Sequence, residues 1–214
     1  VVELARASPQ LLPRDLLLQR IERHARTGLE LADGFVNLAR AEAQPFQAEL
    51  LDLVEIASQT LDNAWAEARR KEVRVRLQTD LEEAPCIGDR GLLARAVANV
   101  LGNAVKYSPA GAEVLCIVAQ RPSHWIGALR DEGPGIPHEE LDRITDRFFR
   151  GRHRSAIGSG LGLAIVETAL NQANATFFLR NRSDRSGVCA GFVPCARRVV
   201  TLEEVRLGGL AARD

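Results

Sequence analysis

"NVLGNAVKYSP", residues 99–109, reads as the end of a helix with two unlike faces. Val97, Val100, Leu101 and Ala104 recur at the spacing that turns an apolar stripe toward a sheet. Asn99, Asn103 and Lys106, four and three residues apart, share the opposite face. An asparagine carbonyl is a neutral oxygen ligand of the kind magnesium accepts beside phosphate and water. A lysine one turn on would offset phosphate charge. Alone, the same three residues also describe an ordinary solvated helix face.

Around this helix, from about Arg90 to Lys106, the pattern alternates between helix and strand. A long helix is expected over 14–43, with Leu17, Ile21, Leu31, Phe35 and Leu38 along one seam. Continuing the seam through "ERHARTGLE" (22–30) lands on His24 and Gly28, which would turn His24 into a helix bundle. Pro45 ends that pattern, and "AQPFQAEL" reads as a linker with a short strand. A second helix is expected over 50–71, with Leu50, Val54, Ala57, Leu61, Ala64 and Ala68 on one face. Strands follow at 73–77, in "APCIGD", at 112–120 and at 124–131. A helix should begin near Gly162, and "TFFLRN" and "GVCAGFVP" should close the fold as a hairpin. Helices mixed with mostly antiparallel strands predict an α+β, two-layer sandwich with the helices on one face.

Bulk properties narrow the function. Lys+Arg and Asp+Glu both number 28 in 214 residues, so no net field draws the chain to nucleic acid or anionic lipid. No apolar run approaches the ~20 residues of a membrane helix. Cys86, Cys116, Cys189 and Cys195 form no C-x-x-C pair and read as reduced packing residues of a cytosolic protein. The absence of methionine suggests a piece of a longer chain.

Three further segments carry chemistry. In "DEGPGIP" (131–137) an aspartate closes a strand, and glycines let the backbone pass close to a flat group. Asp131 as a carboxylate is acceptor-only and can take a hydrogen bond from an exocyclic amine, although D-x-G-P-G is equally the composition of a plain turn. "DRFFRG" (146–151), followed by "RHR", sets two aromatics before Arg150, Arg152 and Arg154. That order suits either a loop that carries cations to a polyphosphate or a hydrophobic anchor with a charged rim. "GSGLGLAIVE" (158–167) places glycines before a helix whose free N–H groups can hold phosphate. Its G-x-G-x-G spacing is neither the dinucleotide fingerprint nor a P-loop.

In this order, within seventy residues, the four segments resemble the N, G1, F and G2 boxes of the catalytic and ATP-binding domain of sensor histidine kinases, in the superfamily shared with type II topoisomerases. The resemblance spans about Pro45 to Pro194. It implies a sandwich of the histidine-kinase ATP-binding type that holds ATP under a lid between the F and G2 boxes. By resemblance, Asn103 would ligate Mg2+ with Asn99 beside it, and Lys106 and Tyr107 would touch phosphates. Asp131 would bind adenine, with Gly133, Gly135 and Ile136 shaping the base pocket. Gly158, Ser159, Gly160, Leu161 and Gly162 would form the lid hinge and phosphate contacts, and Arg150 would lie near the terminal phosphate. Asn103, Lys106 and Arg150 would then be the catalytic set. Glu132 stands where the family usually has asparagine, and Thr145 replaces the first phenylalanine of the F box. "NQANAT" (171–176) replaces the customary His-Gly-Gly, with Asn174 able to supply a positive φ.

Hydrolases of the superfamily resemble one another in a glutamate one turn before the magnesium asparagine. Here that position is Asn99, and an amide is no general base near neutral pH. The kinase reading follows, with an ATP-binding interaction module and a magnesium-dependent ATPase as alternatives. The resemblance places the acceptor histidine on the first helix of a dimerisation hairpin. His24 falls short of the family spacing and lacks its motif, so the acceptor is expected just before Val1. His153, in the lid, is read as a possible phosphate contact only. Residues 1–44 would be the hairpin remnant, 45–196 the catalytic domain, and 197–214 a tail with no assignment. A homodimer formed through the hairpin and a response regulator receiver domain are the implied partners. The fragment is expected to be cytoplasmic, without nucleic-acid or membrane contact, in a parent anchored to the membrane by segments outside it.

Overall fold

The structure, a computed structural model, describes residues 14–43, 45–122, 124–151 and 159–193. The expectations for "VVELARA", Arg152, His153, Arg154, Gly158, Cys195 and 197–214 fall outside them. The chain folds as α1 (Arg14–Ala43), β1 (Glu49–Asp52), α2 (Leu53–Arg70), β2 (Arg74–Gln78), β3 (Pro85–Gly88) and α3 (Arg90–Tyr107). It continues with β4 (Glu113–Arg121), β5 (His124–Arg130), a 3-10 turn (His138–Arg143), α4 (Gly162–Gln172), β6 (Thr176–Asn181) and β7 (Val188–Val193). A five-stranded sheet runs β2-β4-β5-β7-β6, and β1 pairs with β3 beside it. Among the described residues only β2 and β4 pair in parallel; β4–β5, β5–β7 and β6–β7 are antiparallel.

Helices α2, α3 and α4 cover one face of the sheet. Alternation along β4 buries Val114, Cys116 and Val118, which meet Val97, Val100, Leu101 and Ala104 of α3 in a single core. Burying a side chain such as Leu101 stabilises by roughly 1.5–3 kcal/mol, and this is what turns the asparagine face of α3 away from the sheet. Asp89 caps the start of α3 by accepting from the Leu92 N–H at 2.9 Å, and its second oxygen accepts from the Gln47 N–H at 3.0 Å. At the other end, Lys71 Nζ donates to the Val105 carbonyl at 3.0 Å and also to that of Lys106. A cation on the last free carbonyls suits the negative end of the helix dipole. Both ends of the asparagine helix are thus fixed. Cys86, Cys116 and Cys189 are buried free thiols, with Cys86 and Cys116 pushed up to about 12 by burial, in keeping with packing residues.

Two expectations need correction. The second helix starts at Leu53 and not Leu50, because Leu50 and Leu51 pair with Ile87 and Cys86 across the small sheet. Asp52 ends that strand and caps α2, its Oδ1 accepting from the N–H groups of Val54 and Ala84, each at 2.9 Å. The seam of α1 also behaves differently at its two ends. Its C-terminal part lies on α4: Leu38 forms a cluster with Leu161 and Ile165. The Phe35 ring meets that of Phe148 in a tilted contact, with 5.5 Å between centroids, and Arg95 Nη1 donates to the Asn37 carbonyl at 3.0 Å. His24 is exposed in the single chain, as is Ile21. No helix among the described residues is long and apolar enough to cross a membrane.

Candidate functional site

The exposed face of α3, the G1 segment and the start of α4 enclose a cavity of about 390 Å³, within the range of small-molecule pockets. Asn99, Asn103, Lys106 and Tyr107 form its helical wall. Asp131, Gly133, Gly135 and Ile136 line it from the G1 segment, and Arg150 lines it from the F segment. Ser159, Gly160 and Gly162 also line it. Leu161 does not. It is fully buried against Leu38 and Ile165, anchoring the segment while its neighbours face the cavity.

Close backbone contacts tie the F segment to the glycine-rich start of α4. A Cβ on Gly160, whose φ is +74°, would lie 2.8 Å from the Phe148 carbonyl carbon and the Phe149 carbonyl oxygen. The Phe148 N–H donates to the Gly160 carbonyl at 2.9 Å. Phe148 itself has a φ of +65°, an uncommon state for an aromatic residue. The two aromatics of the F segment divide their work, since Phe149 lines the cavity and Phe148 turns out to meet Phe35. Asn174 adopts the expected positive φ, +50°.

The electrostatics divide the cavity into two ends. At one, Lys106 is held below the usual lysine range, chiefly by burial; Glu30 opposes the shift, and the Arg150 and Lys71 charges add to it. Burial likewise pushes up the Tyr107 phenol. This end carries a partly desolvated cation, Lys106, with the Arg150 charge near it, and an anion there would offset the cost of burial. At the other, Asp131 is buried and its carboxyl is pushed up by desolvation, against the hydrogen bonds it accepts and the Arg182 charge. Its Oδ1 accepts from the Gly133 N–H at 2.8 Å and the Val188 N–H at 3.0 Å, so Oδ2 is the oxygen left for a ligand.

Sequence reasoning missed two groups of residues. Glu30, Asp33 and Asn37 of α1 border the cavity, a consequence of α1 lying on α4. The turn between β6 and β7 holds the G1 segment at several points: Asn181 accepts from the Ile136 N–H at 2.8 Å and donates to its carbonyl at 2.7 Å. Ser186 Oγ donates to the Gly133 carbonyl at 2.7 Å. Glu132, the departure from the family's asparagine, accepts from the Glu113 N–H at 3.1 Å and pairs with Arg185 at 2.8 Å. The only sequence signal was the polar run "NRSDRSG" between two strands, which any hairpin loop would show.

Among the described residues no cluster of three or more His, Cys, Asp or Glu side chains could hold a metal ion. Asn99 and Asn103, which both line the cavity, offer neutral amide oxygens of the kind that a magnesium ion carried by a phosphate ligand would accept.

Residues 88–196 match the family model described as "Histidine kinase-, DNA gyrase B-, and HSP90-like ATPase". The signal transduction histidine-protein kinase/phosphatase MprB of Mycobacterium sp. strain KMS is 37% identical over 139 residues, covering 64% of this chain and 26% of MprB. The solved structure of a mycobacterial sensor histidine kinase MprB superposes with a TM-score of 0.59 at 32% identity, over 69% of this chain and 97% of that one. The histidine kinase ThkA, in complex with the response regulator protein TrrA, shares the fold with a TM-score of 0.71 at 16% identity, over 92% of this chain and 57% of that one. The chain belongs to the histidine kinase-, gyrase B- and HSP90-like ATPase family, and carries the catalytic ATP-binding domain of a sensor histidine kinase. It spans about a quarter of the length of the MprB proteins it matches, 26%.

Proposed function

We propose that the cavity binds ATP with Mg2+ and holds its γ-phosphoryl for transfer to a histidine on a dimerisation hairpin, from which a response regulator receiver domain takes it. Asn103 is the magnesium ligand, with Asn99 beside it; Lys106 and Tyr107 meet phosphates, and Arg150 stands at the terminal one. Asp131 accepts from the adenine amine, with Gly133, Gly135 and Ile136 against the base. Ser159, Gly160 and Gly162, which line the cavity, make phosphate contacts. Residues 1–44 belong to the hairpin and 45–196 to the catalytic domain; the hairpin makes the parent protein a homodimer.

The observation that carries this reading is the cavity face of α3. It presents two amides and a lysine, and α3 contains no carboxylate along its length. Such a wall can position a nucleotide and neutralise its charge, which is most of what phosphoryl transfer asks of a protein. It lacks the base that would activate water. The acceptor is a histidine other than His24, which is exposed on α1 and does not border the cavity.

The test incubates the chain with γ-labelled ATP and magnesium, then assays acid-labile protein phosphate in the native sequence and in His24→Gln. Nucleotide binding without label on either protein is expected. Label that disappears in His24→Gln would make His24 the acceptor, and steady phosphate release would make the domain a hydrolase.

A further inference from the structure

The turn between β6 and β7 wraps the end of β5 more tightly than a connecting loop needs to. Arg182 Nη1 donates to the Asp131 carbonyl at 2.9 Å, and the Arg182 N–H donates to the Gly187 carbonyl at 2.9 Å. The Asp131 N–H donates to the Val188 carbonyl at 3.0 Å, while the Val188 N–H returns a bond to Asp131 Oδ1. Gly187 lies so close that a Cβ there would stand 2.1 Å from the Asp131 carbonyl oxygen. The Arg182 side chain is only 10% exposed, and Asp184 holds its other face through Nε at 3.0 Å and Nη2 at 2.6 Å. A forked guanidinium pinned in this way is a fixed charge behind Asp131.

We infer that Arg182 is a positioning residue for base recognition, fixing the Asp131 backbone and setting a positive charge behind its carboxylate, so that the site accepts a 6-amino purine and rejects a 6-oxo purine. The inference rests on the reading of Asp131 as the adenine contact. An ionised carboxylate only accepts hydrogen bonds, so it pairs with the amino group of adenine and repels the carbonyl oxygen of hypoxanthine or guanine. A protonated carboxyl can donate, and it loses that discrimination. Desolvation drives Asp131 toward the protonated form; the N–H groups of Gly133 and Val188 oppose it first, and Arg182 is the charged side chain that adds to them. Glu132, next in the chain, is occupied with Arg185. Across the cavity the charged groups are Lys106, Glu140 and Arg150, with Glu30 and Asp33 of α1.

Calorimetric titration with Mg-ADP and Mg-IDP (inosine diphosphate) at pH 5.5, 6.5 and 7.5 tests this on the whole chain, as the native sequence, Arg182→Gln and Arg182→Lys. The native protein should prefer ADP throughout. Arg182→Gln should lose roughly tenfold in ADP affinity at pH 5.5 and less at pH 7.5, with the preference over IDP shrinking in step. Arg182→Lys retains the charge and should keep a pH profile close to the native one, so this variant carries the test if Arg182→Gln does not fold. Unchanged ADP affinity and preference in Arg182→Gln would overturn the inference. An equal loss for both nucleotides at every pH would overturn it too, since that reports only a damaged turn, as would an Arg182→Lys preference that collapses toward acid pH. Failure of the native protein to bind ADP at all would instead overturn the nucleotide reading beneath it, and the inference with it.

Discussion

A Cβ placed on Gly162 would stand 3.3 Å from Asn99 Oδ1 and 3.7 Å from Asn103 Nδ2. The glycine-rich start of α4 and the asparagine face of α3 are therefore two walls of one slot, although some sixty residues separate them. Asn103→Ala should weaken Mg-ATP binding by about tenfold or more, with a much smaller effect when magnesium is chelated. Titration with and without EDTA measures this. Equal losses in both conditions would place the metal elsewhere.

Asn99→Glu puts a carboxylate one turn before Asn103. If the missing base is what separates this domain from the hydrolases, phosphate release from ATP should rise by roughly ten- to a hundredfold over the native protein. A coupled phosphate assay reads the change directly. An unchanged rate would mean that water is excluded by the shape of the slot.

Gly160 is held at a φ of +74° against the backbone of Phe148 and Phe149. Gly160→Ala should cost about 1–3 kcal/mol, because the methyl group meets main chain that has no rotamer to yield. Urea denaturation should show the midpoint falling, with nucleotide affinity falling alongside. Gly102→Ala, where an added Cβ meets nothing within 4 Å, is the control and should be neutral or slightly stabilising.

Two neighbouring acids should titrate with opposite signs. Glu132 is held below the usual glutamate range by the Glu113 N–H first and then by Arg185. Its contribution to stability is present above the ordinary glutamate pKa and is lost as pH falls through the lowered folded value. Asp131, pushed up by burial, contributes below the ordinary aspartate pKa, and that contribution is lost as pH rises through its raised folded value. Glu132→Gln should be less stable than the native protein at pH 6, with the difference shrinking toward pH 3 in a series of urea melts. A gap that stays constant with pH would show that the Arg185 pair and its charge contribute nothing.

Much of this was legible in the residues. The four-and-three spacing of Asn99, Asn103 and Lys106, set against the apolar stripe through Val97 and Leu101, gave both the helix and its working face, because an amphipathic period is a local property. The strands were legible for the same reason. The clamp of Asn181, Arg182 and Ser186 on the G1 segment was not, since its hydrogen bonds join residues 45 to 53 positions apart. A polar turn reads alike whether its side chains are idle or bonded. The start of α2 was misplaced because Leu50 fits a helical stripe and a strand equally well. The direction of α1 failed for a third reason: its seam shows that it needs a partner, without saying that Leu38 and Phe35 find theirs on Leu161 and Phe148.

The most direct test mixes this chain with γ-labelled ATP, magnesium and a separately produced dimerisation hairpin that carries its own histidine, then follows label onto the hairpin. The account predicts acid-labile phosphate on the hairpin histidine that requires Asn103 and leaves His24 unlabelled. Tight ATP binding with no label reaching any histidine would contradict it and leave a nucleotide-sensing module.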